Sequence, residues 1–259
     1  MDRLIYTAVS GMNASLNRER VTASNMANAQ TIGFRAEILQ ATPNTLEGPQ
    51  IEVRALSGTE VIGASMKSGS VNRTGQPLDV AMQGDAMLAV QAPERDGDAN
   101  GEGGEAYTRR GDLSVAVTGV LQNGEGLPVL GESGPITLPP GSIVTIAQDG
   151  GILVTDPATP GQPPQRVDRL KLVDPTGSRI AKDLTGVFRV VTDGGPPGVL
   201  PQDENASVIP GSLEGSNVSP SQVLTEMISA QRLFEMRTKL VETARELDEG
   251  SVRLMRIDS

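Results

Sequence analysis

The residue types that carry most enzymatic and metal chemistry are missing from this chain or badly spaced in it. Its 259 residues include no cysteine and no histidine. That removes disulfides, thiolate nucleophiles, the commonest general base and the commonest neutral metal ligand. Carboxylates remain, 32 Asp and Glu in all. Asp79 and Asp85 fall near one predicted strand pair, and a glycosidase needs two facing carboxylates. The five aromatics, Tyr6, Phe34, Tyr107, Phe188 and Phe234, are too few to favour stacking on a sugar ring. Asp96-Gly-Asp-Ala-Asn-Gly101 matches the first half of a calcium loop. Tyr107 stands where its bidentate Glu belongs and no helices flank it, so the plainer reading is an acidic hairpin tip. Gly101-Glu-Gly-Gly104 and Gly124-Glu-Gly126 precede neither a helix nor a Lys-Ser/Thr pair, and read as turn glycines rather than phosphate cradles. Asp112, following Arg109-Arg110-Gly111, reads as a turn residue or half of a surface ion pair. No catalysis, cofactor or metal is expected.

The charge distribution points the same way. The net charge of −10 argues against nucleic acid as a partner. Residues 1–40 hold four basic and three acidic side chains, residues 215–259 six and seven, and residues 41–214 twelve and twenty-two. The acidity therefore belongs to the middle. Near-neutral ends can gather in many copies without strong repulsion while an acidic middle faces solvent. The opening Met1-Asp2-Arg3 and the following LIYTAVSGMNASLNRER offer no apolar core of about 7–15 residues and no cleavage-like site. No window approaches the roughly 18 apolar residues of a membrane span. Export, if any, is expected to use a route without a cleaved signal, and no membrane insertion is expected.

The elements that must position these residues are two helices around a β-rich middle. Ile5, Val9, Met12, Leu16, Ala23 and Ala27 recur at steps of three and four and predict a helix over residues 2–28. Ser219 as N-cap and Pro220 at the first helical position open a second helix, predicted to run to about Gly250. Its early apolar residues, Val223, Leu224, Met227, Ile228 and Phe234, share a face. The later ones, Leu233, Met236, Leu240, Val241, Ala244 and Leu247, turn away from it. A helix on the rim of a globule carries one steady stripe, so this broadening arc implies more than one neighbour. Between the helices, residues 41–58 read as irregular. Short alternating runs such as Leu113–Thr118 and Ile143–Gln148, with turn signals at Asn123-Gly124 and Asp149-Gly150-Gly151, predict antiparallel strands from about 59 to 191. The fold class is α+β: long N- and C-terminal helices pairing as a coiled coil, with an antiparallel β-rich domain inserted. The segments are 1–40, 41–214 and 215–259.

Taken together, the ends resemble the bacterial flagellar axial family, the rod and hook proteins. Ser24-Asn-Met-Ala-Asn-Ala-Gln-Thr-Ile-Gly-Phe34 is similar to the family's N-N-L-A-N-x-x-T-x-G-[FY]. Leu213-Glu-Gly-Ser-Asn-Val218, Met227-Ile-Ser-Ala-Gln-Arg-Leu-Phe-Glu235 and Lys239 with Thr243-Ala244 are similar to its C-terminal pattern. Gln76–Asp85 and Tyr107-Thr-Arg-Arg-Gly111 also look like the family, and the opening Met1–Ala8 is most like its proximal-rod members. Gln222, Val223 and Arg245 depart from the pattern, which bears on subunit-specific contacts.

The resemblance implies a structural subunit of the basal-body rod. Such a subunit assembles with copies of itself and with other flagellar rod proteins into a tubular helical drive shaft that transmits torque and passes export substrates. It implies secretion by the flagellar type III export apparatus and a periplasmic location. Within the family the alternative is a distal rod or hook subunit. Outside it, the alternative is a free-standing β-rich binding protein or carboxylate-only enzyme. Asn25, Asn28, Gly33 and Phe34 are expected to set the turn out of the first helix. Asn217, Val218, Met227, Ile228, Gln231, Arg232, Phe234 and Glu235 are expected to make inter-helix and inter-subunit contacts, with Gln231 and Arg232 fixing register.

Overall fold

A computed structural model describes residues 2–45, 55–92, 104–157, 162–183, 185–192 and 198–257. The chain runs α1 (Asp2–Ala27), β1 (Glu37–Thr45), β2 (Ala55–Ala64), β3 (Val71–Arg73), β4 (Val80–Met82), β5 (Met87–Gln91), β6 (Glu105–Thr108), β7 (Leu113–Val115), β8 (Leu121–Asn123), β9 (Ile143–Ile146), β10 (Gly151–Thr155), β11 (Gln165–Arg169), β12 (Leu172–Val173), β13 (Ile180–Lys182), β14 (Phe188–Val190), β15 (Val208–Pro210), β16 (Ser212–Glu214) and α2 (Pro220–Ile257). The class is α+β, and the strand pairs with described registers are antiparallel. Two compact units result. One comprises residues 1–29, 37–63 and 218–259; the other comprises 30–36 and 64–217.

In the first unit, α1 and α2 pack together and β1 pairs with β2. At about 1.5 Å per residue the helices are roughly 39 and 57 Å long. Ser219 precedes Pro220 as expected, and its carbonyl accepts the N–H of Val223 at 3.0 Å. The second helix does not stop at Gly250 but continues to Ile257. One interior glycine costs only about 1 kcal/mol, and the following Ser-Val-Arg-Leu-Met-Arg-Ile has no breaker. The irregular reading of 41–58 is corrected at 41–45 and 55–58, which are strand, while 46–54 lie outside the described residues. Pro43 misled it. Both strands of a two-stranded sheet are edges, where a missing N–H can face solvent.

The second unit is built on the five-stranded sheet β12-β5-β6-β14-β13, with the three-stranded sheet β11-β10-β9 and three two-stranded pairs, β15-β4, β16-β3 and β7-β8. Successive residues of a strand point to opposite faces, and β5 buries both of its own. Leu88 and Val90 enter a cluster with Leu121, Ile136, Ile152 and Leu170. Met87 and Ala89 enter another with Tyr107, Val173, Phe188 and Leu200. The Tyr107 hydroxyl accepts the Leu200 N–H at 2.7 Å, and burial pushes its pKa up.

Candidate functional site

The carboxylates considered for chemistry sit in different environments. Asp79 is buried and accepts from the Thr74 hydroxyl at 2.5 Å, whereas Asp85 is exposed. Asp112 forms a two-pronged pair with Arg110 at 2.8 and 3.0 Å, and this pair raises the Arg110 pKa. Gly126 sits in a turn at φ +80°, its N–H bonded to the Asn123 carbonyl. The calcium-like stretch Asp96–Gly101 lies outside the described residues.

What the fold assembles instead is a buried charge cluster in the second unit, drawn from three distant stretches of chain. Glu214, at the end of β16, is 1% exposed and flanked by Arg35 and Arg109, each also 1% exposed. One carboxylate oxygen accepts from Arg35 Nη1 at 3.0 Å and from the Gly69 N–H at 2.7 Å. The other accepts from Arg109 Nε at 2.8 Å and Nη2 at 2.6 Å. Arg109 also donates to the carbonyls of Gly84, Ala86 and Met82, which employs all five of its N–H groups. Burial, then the neighbouring Arg109, hold the Arg35 pKa below that of a free arginine.

Around this cluster lie the turn residues expected from sequence. Gly33, at φ +67°, donates its N–H to the Glu214 carbonyl at 2.8 Å. A Cβ there would sit 2.5 Å from the Arg109 carbonyl oxygen and 2.6 Å from the Arg110 nitrogen. Phe34 is buried, with Lys182 Nζ 3.4 Å from its ring centroid, a cation–π contact. The Asn217 side chain accepts from the Ala36 N–H at 2.7 Å and donates to the carbonyls of Ser65 and Lys67 at 2.9 and 2.8 Å.

In the first unit, Asn25 exchanges two hydrogen bonds with the backbone of Glu37, at 3.1 and 2.9 Å, and so ties the end of α1 to the start of β1. Asn28 donates to the Ser24 carbonyl at 2.9 Å. Val218 is buried.

The two helices divide their surfaces. Along α2 the less exposed positions are Val223, Met227, Ala230, Leu233, Phe234, Arg237, Thr238, Val241 and Ala244; all but Leu233 and Thr238 follow one line spaced alternately four and three. Leu224, Ile228, Met236, Leu240 and Leu247 are 46–60% exposed. Gln231, Arg232 and Glu235 are exposed as well. Among the described side chains of α1 the buried positions are Ala14, Ser15, Val21, Thr22 and Asn25, none of them in the apolar stripe read from sequence; Ile5 of that stripe lies outside the described side chains. Val9, Leu16, Ala23 and Ala27 face solvent and Met12 is half-covered. The covered face of α1 is small at Gly11, Ala14 and Ser15, and Arg237 lies across it, donating to the Gly11 carbonyl and the Ser15 hydroxyl.

Sequence reading missed Arg35, Glu214, Lys182 and Arg237, and quoted Arg109 only as a member of the Tyr107–Gly111 motif. The available signal was position. Arg35 directly follows the Gly33-Phe34 motif, and Glu214 opens the Glu-Gly-Ser-Asn motif.

Three family models match this chain: the flagella basal body rod protein model at residues 5–35, the flagellar hook protein FlgE/F/G D1 domain at 81–154, and the flagellar basal body rod FlgEFG protein C-terminal model at 209–254. Among curated relatives, the chain is 41% identical over 250 residues to the flagellar basal-body rod protein FlgF of Salmonella typhimurium, covering 95% of each chain. It is 42% identical over 249 residues to the protein of that name from Escherichia coli, covering 94% of each. It is 28% identical over 275 residues to the flagellar basal-body rod protein FlgG of Bacillus subtilis, covering 99% of this chain and all of that one.

Proposed function

Because this chain belongs to the family of flagellar basal-body rod proteins, a structural and not an enzymatic family, we propose that its helices are the polymerising part of a rod subunit. Segments 1–40 and 215–259 serve as the axial parts and 41–214 as the solvent-facing part. α1 and α2 pair as a coiled coil and pack with their counterparts in neighbouring copies and in other rod proteins, giving a tubular shaft that transmits torque and passes export substrates. The opening residues and the similarity to FlgF relatives support a proximal rather than distal position. Secretion by the flagellar type III apparatus and a periplasmic location follow from that role.

The observation that carries this reading is the apolar surface left on the helices. The four-three line from Val223 to Ala244 within the less exposed face of α2 has the spacing of a coiled-coil seam, with Leu233 and Thr238 widening it. Leu224 and Ile228 on one flank of α2, and Met236, Leu240 and Leu247 on another, are exposed apolar residues, as are Val9 and Leu16 on α1. Large exposed apolar patches mark interaction sites. Gln231, Arg232 and Glu235 are solvent-exposed polar groups placed to fix register between copies.

The test is Ile228→Asp together with Leu240→Asp, at positions 52% and 57% exposed. The purified subunit should keep its melting behaviour to within about 0.5 kcal/mol, as exposed sites usually do. Incorporation into basal bodies and motility should be lost. Normal incorporation of a folded double variant would overturn the assignment of these exposed apolar surfaces.

A further inference from the structure

The charge cluster holds one cation more than it can use. Arg109 and Glu214 form a complete pair: the carboxylate takes two bonds from Arg109 and one from the Gly69 N–H, and Arg109 spends its remaining donors on carbonyls. Arg35 is the surplus. Its Nε and Nη2 are buried with no hydrogen-bond partner among the described residues. The two acceptors that its Nη1 reaches, Glu214 Oε1 and the Lys67 carbonyl, each have another donor, the Gly69 N–H and Asn217 Nδ2 respectively. Removing the Arg35 guanidinium therefore orphans neither of them. Keeping it means burying a second cation on a carboxylate that Arg109 already holds, together with two unmade hydrogen bonds, both of which are unfavourable.

Arg35 lies in a short excursion of the chain. Residues 30–36 cluster with 64–217, while the residues on either side, 1–29 and 37–63, cluster with the helices. The excursion is held by the Gly33 N–H on the Glu214 carbonyl, by Phe34 beneath Lys182, and by the Ala36 N–H on Asn217. Those contacts favour insertion, and the guanidinium opposes it.

We propose that segment 30–36 is a reversible latch on the β-rich body, and that Arg35 keeps it weak by favouring the open form in which its guanidinium is hydrated. This goes beyond the rod assignment and does not depend on it. The latch is read by amide hydrogen exchange on the full chain, comparing peptides that cover 30–36 with the central strand at 87–91. In the native protein, 30–36 should open at least about tenfold more readily than 87–91, as a locally released segment does. Arg35→Met keeps an apolar stem and deletes the charge. It should slow exchange of 30–36 by about tenfold or more and leave 87–91 unchanged, in keeping with the gain seen when buried ions give way to apolar side chains. Phe34→Ala should speed exchange of 30–36. Native protection of 30–36 equal to that of 87–91 would overturn the proposal. So would an Arg35→Met protein that fails to fold or shows no slowing, because either would mean that the guanidinium holds the segment in.

Discussion

Replacing Glu214 by Gln should unfold much of the β-rich body's margin of stability. Glu214 is the carboxylate that both buried arginines pair with. The amide keeps one oxygen but presents an N–H2 group to guanidinium donors, so hydrogen bonds are lost and the buried charge rises from one positive unit to two. Breaking a buried pair by removing one partner costs about 3–5 kcal/mol. Domains have only about 5–15 kcal/mol in total. At about 2–4 °C per kcal/mol for a body of this size, the melting midpoint should fall on the order of 10 °C. Urea titration and thermal circular dichroism of the full chain would measure it, with the strand signal separated from the helical one. Adding Arg35→Met to the same protein should recover part of the loss, because one of the two unpaired cations is gone. A Glu214→Gln midpoint within about 1 kcal/mol of wild type would refute the view that this carboxylate neutralises the core of the cluster.

Gly33→Ala should also destabilise the protein. At φ +67° a Cβ costs about 1–2 kcal/mol by itself, and here it would press on the backbone of Arg109 and Arg110. An unchanged urea midpoint would show that the turn relaxes freely. The Asp149 carboxyl is held below the usual aspartate range, first by the Gly151 N–H and then by Arg166, each at 3.0 Å. A depressed folded pKa gives stability that is present above the unfolded aspartate's pKa and is lost as pH falls through the folded value. Carboxyl NMR should find the Asp149 midpoint below that of an unfolded aspartate, and a midpoint at or above it would count against these two contacts.

The helices were legible because their information is local. Apolar residues at steps of three and four, a Ser-Pro start and long stretches without breakers are properties of neighbouring residues, and a single chain displays them. The β character of the middle was legible for the same reason, from alternation and from turns such as Asn123-Gly124 and Asp149-Gly150-Gly151. The lack of cysteine and histidine fixed in advance which chemistry was out of reach. Gly33 and the Asn25 and Asn28 amides could be picked out because positive φ and helix-end hydrogen bonding belong to particular residue types. Periodicity does not say which face is covered. The α1 stripe through Val9 and Leu16 is exposed, and the positions covered on α1 include Ala14, Ser15 and Val21 instead. Small residues permit close approach of backbones, a packing preference that no hydropathy pattern encodes.

The charge cluster was decided by tertiary structure alone. Arg35, Arg109 and Glu214 are each unremarkable in sequence, since isolated charges usually sit in water. Only folding brings residues 74 and 105 positions apart, 35 with 109 and 109 with 214, into one buried place. There the low polarity of the surroundings makes pairing obligatory, and Arg35 must share the carboxylate that Arg109 already holds.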